Sequence, residues 1–157
     1  MIKDELKERI RAAFSVEPLP EEYWRDGVDL SGDIPEELSS KIVRRPWNEI
    51  SITDWTMTGA HASIARAYLE GNAFRYYLPS LLLGGLEDIG YIDWALECLL
   101  PAGGSRKTTS EWWQTFYAGF SQEQRAVVRQ YLAFVSLLPV GPGNQEYVEQ
   151  AIPIWDA

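Results

Sequence analysis

Apolar side chains recurring at helical spacing, with no segment of strand-like alternation, constrain this chain more than any other feature. In the stretch AFRYYLPSLLLGG, residues 73–85, Phe74, Tyr77, Leu78, Leu81 and Leu82 fall at i, i+3, i+4, i+7 and i+8 and form one core-facing stripe. Val128, Tyr131, Leu132, Val135 and Leu138 repeat the pattern in SQEQRAVVRQYLAFVSLL, where Ser121 and Gln124 make a capping-box signature. Ile2, Leu6, Ile10 and Phe14 give a third stripe over residues 3–15. The expectation is an all-α fold, a single compact multi-helix domain, because 157 residues suffice for one core and fall short of two ordinary ones.

Glycine, proline and capping residues divide the remaining chain. Ile34-Pro35-Glu36-Glu37-Leu38 reads as a helix start, with proline in the first turn and acids complementing the dipole, and the helix runs to about Val43. Ser51 with Asp54 predicts a cap, and ASIARAYLEG predicts a helix closed by Gly71, after which Asn72 caps the next. Pro79 lies more than one turn into that central helix and predicts a kink or a restart, and Gly84-Gly85 loosens its end. YIDWALECLL is a short helix stopped by Pro101, and Ser110 caps EWWQTFYAGF. Pro139, Gly141 and Pro142 end the helix that Ser121 opens, EYVEQAI forms a short closing helix, and Pro153 precedes an aromatic tail.

Charge is unevenly placed. The chain carries a formal −9, and eight acids against one base, Arg25, lie between Glu17 and Glu37, a local balance of −7. Residues 16–33 hold two prolines, two glycines and no sustained period, and read as a long acidic loop with Tyr23 and Trp24 as anchors. No basic patch favours a nucleic-acid backbone or an anionic membrane, and no apolar run reaches the roughly 18 residues that span a bilayer. The opening MIKDELKERI is a charged helix pattern, not a secretory leader, and the single Cys98 fits a reducing compartment, so the expected location is the cytoplasm.

Residues for chemistry are scarce. His61 is the only histidine, Cys98 sits in a leucine-rich helix beside Glu97, and neither one supplies an activated nucleophile. One His and one Cys do not make a zinc site, and no calcium loop is present, so no metal and no cofactor are expected. Gly103-Gly-Ser-Arg-Lys-Thr-Thr109 matches a phosphate loop only faintly, lacking its spacing and following a helix instead of a strand. Helical periodicity assigns Trp55, Trp94, Trp112 and Trp113 to the core.

AFRYYLPSLL, then SQEQRAVVRQYLAFVSLL, then EYVEQAIPIW, with Trp47-Asn-Glu-Ile50 upstream, resembles a family of small, uncharacterised bacterial proteins marked by an "fRYYLPa-L" segment. The likeness runs from Ile10-Arg-Ala-Ala-Phe14 to Trp155; Ile152-Pro153-Ile154 and Gly84-Gly85 depart from it. The resemblance implies architecture and brings no established activity with it. The functional expectation is a non-enzymatic protein-binding domain, most specifically an immunity protein or antitoxin that neutralises a cognate bacterial toxin. Its binding residues would be Trp24 as anchor and Asp26, Asp29, Asp33, Glu36 and Glu37 as charge. The alternative is a housekeeping interaction or scaffold module.

Overall fold

A computed structural model describes residues 1–157. The chain is all-helical and forms one compact domain of eight α-helices: α1 (Lys3–Ala13), α2 (Asp33–Lys41), α3 (Ile52–Thr56), α4 (Gly71–Glu87), α5 (Ile92–Cys98), α6 (Glu111–Ala118), α7 (Gln122–Ser136) and α8 (Pro142–Asp156). Short 3₁₀ helices at Trp47–Glu49, Ala62–Ala67 and Ile89–Tyr91 link them. The one β-type pairing is an isolated antiparallel bridge between Trp24 and Leu69.

Helix α4 is central, packing against α1, α3, α5 and α6, while α7 lies between α1 and α8. Its apolar stripe is wholly buried, and Phe74 meets Trp55, Trp112 and Phe116 at ring-centroid distances of 5.8–6.3 Å. The serine caps form as the sequence predicts. Ser51 and Asp54 make a reciprocal capping box, Ser121 and Gln124 make another, and Ser110 accepts from the Trp113 N–H. Leu6, Ile10 and Phe14 of the first stripe are buried, whereas Ile2 precedes the helix and stays exposed.

The structure corrects several local expectations. ASIARA forms a 3₁₀ helix, and Gly71 opens α4 instead of closing a helix before it. The cap of α4 is therefore Glu70, whose carboxylate accepts from the Ala73 N–H, not Asn72. Pro79 does not restart α4, which continues from Gly71 to Glu87; Pro79 is itself buried with Tyr77, Leu78, Leu81 and Leu82 around it, packing that offsets the backbone bond that proline removes. Gly84 and Gly85 lie inside α4 rather than at a loosened end. A Cβ on Gly84 would come within 3.0 Å of Ile52 Cβ, and one on Gly85 within 3.0 Å of Ile92 Cδ1 and the Tyr131 hydroxyl. The glycine pair thus lets α3, α5 and the Tyr131 hydroxyl of α7 approach the central helix closely.

Pro142 occupies the first turn of α8 instead of terminating α7, the position where a missing N–H costs nothing. Helix α8 runs through Pro153, so Trp155 is helical rather than part of a tail. It is fully buried, donates Nε1–H to Leu99 O at 2.8 Å, and meets Tyr117 and Phe120 edge-on at 5.1 Å. Trp55 and Trp113 are buried as well, while Trp94 and Trp112 pack on the core from partly exposed positions.

The segment RYYLPS is where α4 meets everything else. Tyr77 donates its hydroxyl to Arg45 O at 2.9 Å, and Ser80 Oγ accepts from Trp55 Nε1 at 2.9 Å while donating to Tyr77 O at 2.6 Å. Removing the Ser80 hydroxyl leaves a buried indole N–H without an acceptor, a loss of about 1–3 kcal/mol. Ser80→Ala is therefore expected to lower the unfolding free energy by that amount in urea denaturation. Ser39→Ala, at an exposed position of α2, should fall within about 0.5 kcal/mol of the parent.

Candidate partner-binding surface

Between α1 and α2 the chain runs from Phe14 to Gly32 without a helix, and several attachments hold it to the body, the first being the Trp47 indole, which donates to Ser15 O at 3.1 Å. Tyr23 and Trp24 lie beside the end of the Ala62–Ala67 turn. There Arg25 N–H donates to Tyr68 O at 2.8 Å, and Glu70 N–H donates to Tyr23 O at 2.9 Å. Tyr23 is buried against Tyr77. Farther back, the Tyr76 hydroxyl donates to Val16 O at 2.7 Å and accepts from the Trp47 N–H at 3.2 Å. Burial pushes the Tyr76 phenol above its ordinary value, the Trp47 N–H opposes this and Glu17 reinforces it, so the group remains a neutral donor.

The six sequence-predicted binding residues do not behave alike. Trp24 is half-buried, packs against the core and pairs its backbone with Leu69; its main role is to fasten the segment. Asp26, Asp29, Asp33 and Glu36 are exposed and have no ion-pair partner within the chain. Asp29 accepts from the Ser31 N–H at 2.9 Å and from its hydroxyl at 2.6 Å, and these bonds hold its carboxyl below the usual range. Glu37 is tied to Lys41 one turn on at 3.3 Å, so it is less available than the others. The single base, Arg25, neutralises none of them. Its guanidinium lies 5.3 Å over the Trp112 ring.

A cleft of about 460 Å³ opens between this segment and the starts of α4 and α7, and sequence reading does not find it. Glu17, Glu21, Glu22 and Glu70 line it with Arg75 and Gln124. Arg75 is spoken for. It donates to Thr115 O at 3.0 Å and Phe116 O at 3.1 Å, capping the end of α6, and also to Asn72 Oδ1. Its guanidinium lies so near Gly119 that a Cβ there would sit 2.0 Å from it. The fRYY triplet is legible as a motif, but its contacts join residues about 30–60 positions apart, beyond any local pattern.

His61 and Arg106 make internal contacts. His61 Nδ1 accepts from the Ser63 N–H at 3.0 Å, capping the following turn, its Nε2 lies 3.3 Å from Asp93, and its ring lies against Trp94. In the 103–109 loop, Arg106 donates to both Glu97 oxygens, at 2.9 and 3.2 Å, and to Pro101 O. Arg106 is thus spent internally, while Lys107 beside it is exposed and has no ion-pair partner within the chain. Burial works against the Glu97 charge, but Arg106, Tyr147 and Arg66 outweigh it and hold the carboxyl below its usual range. No group of three or more His, Cys, Asp or Glu side chains is placed to hold a metal ion. No helix is long and apolar enough to cross a membrane.

Cys98 is fully buried, and burial pushes its thiol up to about 12. A buried, protonated thiol reacts slowly with an alkylating agent. Alkylation by iodoacetamide at pH 8 should leave the native protein unmodified over a time that fully labels it in denaturant; equal labelling in both would contradict the burial. Compared with known proteins, residues 2–156 match a family model described as "Family of unknown function (DUF6714)". No curated protein and no solved structure matches the chain.

Proposed function

The chain belongs to the DUF6714 family, and from its own residues we propose that it is a non-enzymatic protein-binding domain. In its most specific form it is a bacterial, cytoplasmic immunity protein or antitoxin that neutralises a cognate toxin through its acidic surface. The observation carrying this reading is charge without compensation. Seven of the eight acids from Glu17 to Glu37 have no ion pair within the chain, Glu37 being the exception. Unpaired like charges repel one another and cost stability, so a basic partner surface would relieve a strain already present.

Placement adds to the argument. The backbone is fixed at Val16 and again at Tyr23, Trp24 and Arg25, on either side of Glu17, Glu21 and Glu22 and just before Asp26, and α2 carries Asp33 and Glu36, so part of the ordering cost is already met when a partner docks. A toxin that cuts or reads nucleic acid carries a basic groove, and carboxylates on a fixed frame meet it where phosphates would bind. Electrostatic complementarity then gives fast, salt-sensitive capture. A scaffold module remains the alternative; it would bind more weakly and without dependence on these charges.

The test uses the tagged full chain to retain its partner from native lysate at low and high salt, followed by association kinetics with the retained protein. Changing Asp26, Asp29 and Asp33 together to Asn should slow association by about tenfold or more and flatten its salt dependence. The fold should persist, since all three are exposed and without ion pairs, and Asn at 29 still offers Ser31 an acceptor. Unchanged kinetics in a folded triple variant would remove the acidic segment as the binding site.

A further inference from the structure

At the other end of α7's first turns lies a second surface that no acidic-segment residue lines. Arg125 and Arg129, one turn apart on α7, face a recess of about 410 Å³ shared with Gln122 and Ala157. In a chain of net charge −9, neither arginine has a carboxylate within ion-pair distance. Both are held in place and incompletely used. Arg125 donates Nε–H to Phe120 O at 3.3 Å and a terminal N–H to Tyr117 O at 2.7 Å; Arg129 donates one N–H to Trp155 O at 3.1 Å. A guanidinium has five N–H donors, so most remain free on heads that are already oriented.

An apolar groove of about 490 Å³ adjoins the recess, formed by Trp113, Tyr117 and Ala118 of α6 with Pro153 and Ile154 of α8. Two residues join the two features. Ala157 lines both, and Tyr117 forms a wall of the groove while carrying the Arg125 guanidinium 4.0 Å over its ring. The Tyr117 hydroxyl is bound to Ile154 O at 2.7 Å, which fixes the wall.

We infer that this surface is a docking site for a protein segment in which a carboxylate neighbours a large apolar side chain. The apolar group fills the groove over Trp113 and Ile154, and the carboxylate takes the free donors of Arg125 and Arg129. Charge complementarity selects the occupant. An uncharged apolar segment leaves the arginines unused, and a bare anion leaves the groove empty. The carboxylate bond is charge-assisted and contributes accordingly.

N-acetylphenylalanine, which joins one aromatic ring to one carboxylate, probes the site on the full native chain by NMR titration. Saturable shifts are expected together at the Arg125 and Arg129 Nε–H signals and at Trp113 and Ile154. N-acetylphenylalanine amide should bind about tenfold or more weakly, the factor for losing a hydrogen bond between charged groups. Arg129→Gln should lose the effect and Arg129→Lys should retain part of it. The amide comparison needs no variant and so survives any misfolding. Equal binding of acid and amide, shifts in inorganic phosphate alone that match those of the acid, or no saturation with the acid would each overturn the inference.

Discussion

The polar groups of the RYYLPS segment have to find partners inside the protein, and the rest of the structure is arranged around how they do so. Helix α4 crosses the middle of the domain, and an unpaired hydroxyl, indole or guanidinium there would cost more than most single contacts return. Arg75 caps α6, Tyr76 ties together Val16 and Trp47, Tyr77 reaches Arg45, and Ser80 takes the Trp55 indole. Together these bonds join α4 to α6, to the segment after α1, to residues 45–47 and to α3. The apolar stripe drives burial, and these bonds decide which neighbours are buried against it.

The same bonds have a consequence for function. A segment bearing seven unpaired carboxylates would repel itself away from the body unless fixed, and Tyr76, the Trp47 indole on Ser15 O, the burial of Tyr23 and the Trp24–Leu69 bridge all fix it. Arg25, the one base in the segment, lies over Trp112 and pairs with none of these carboxylates. The motif and the acidic surface are therefore parts of one arrangement: an aromatic framework presenting charge. The basic recess on α7 is presented in the same way, its arginines oriented by helix-end carbonyls.

Much of this was legible before the structure, and the gaps have clear causes. Helical stripes and serine caps are local signals, and Ser51, Ser110 and Ser121 perform as the sequence reads. Proline and glycine misled because their local meaning is ambiguous. Pro142 serves equally as a stop or a first-turn residue, and Gly84-Gly85 looks like a loose end until Ile52, Ile92 and Tyr131 are seen pressing on it. At the site, the acids were countable, but Glu37's tie to Lys41 and Trp24's fastening role depend on geometry. The cleft and the Arg125–Arg129 surface join elements distant in sequence, which periodicity within one helix does not report.

The measurement that tests the framework most directly is amide hydrogen exchange in Tyr76→Phe, read residue by residue. If the hydroxyl fastens the acidic segment, exchange should quicken about tenfold or more at Trp47, whose N–H loses its acceptor, and should rise at Arg25 and Glu70 as the segment loosens. The amides of α4 and α7 should keep their protection. Unchanged exchange at Trp47, Arg25 and Glu70 would contradict the account, leaving the motif as packing alone and the acidic segment held by something else.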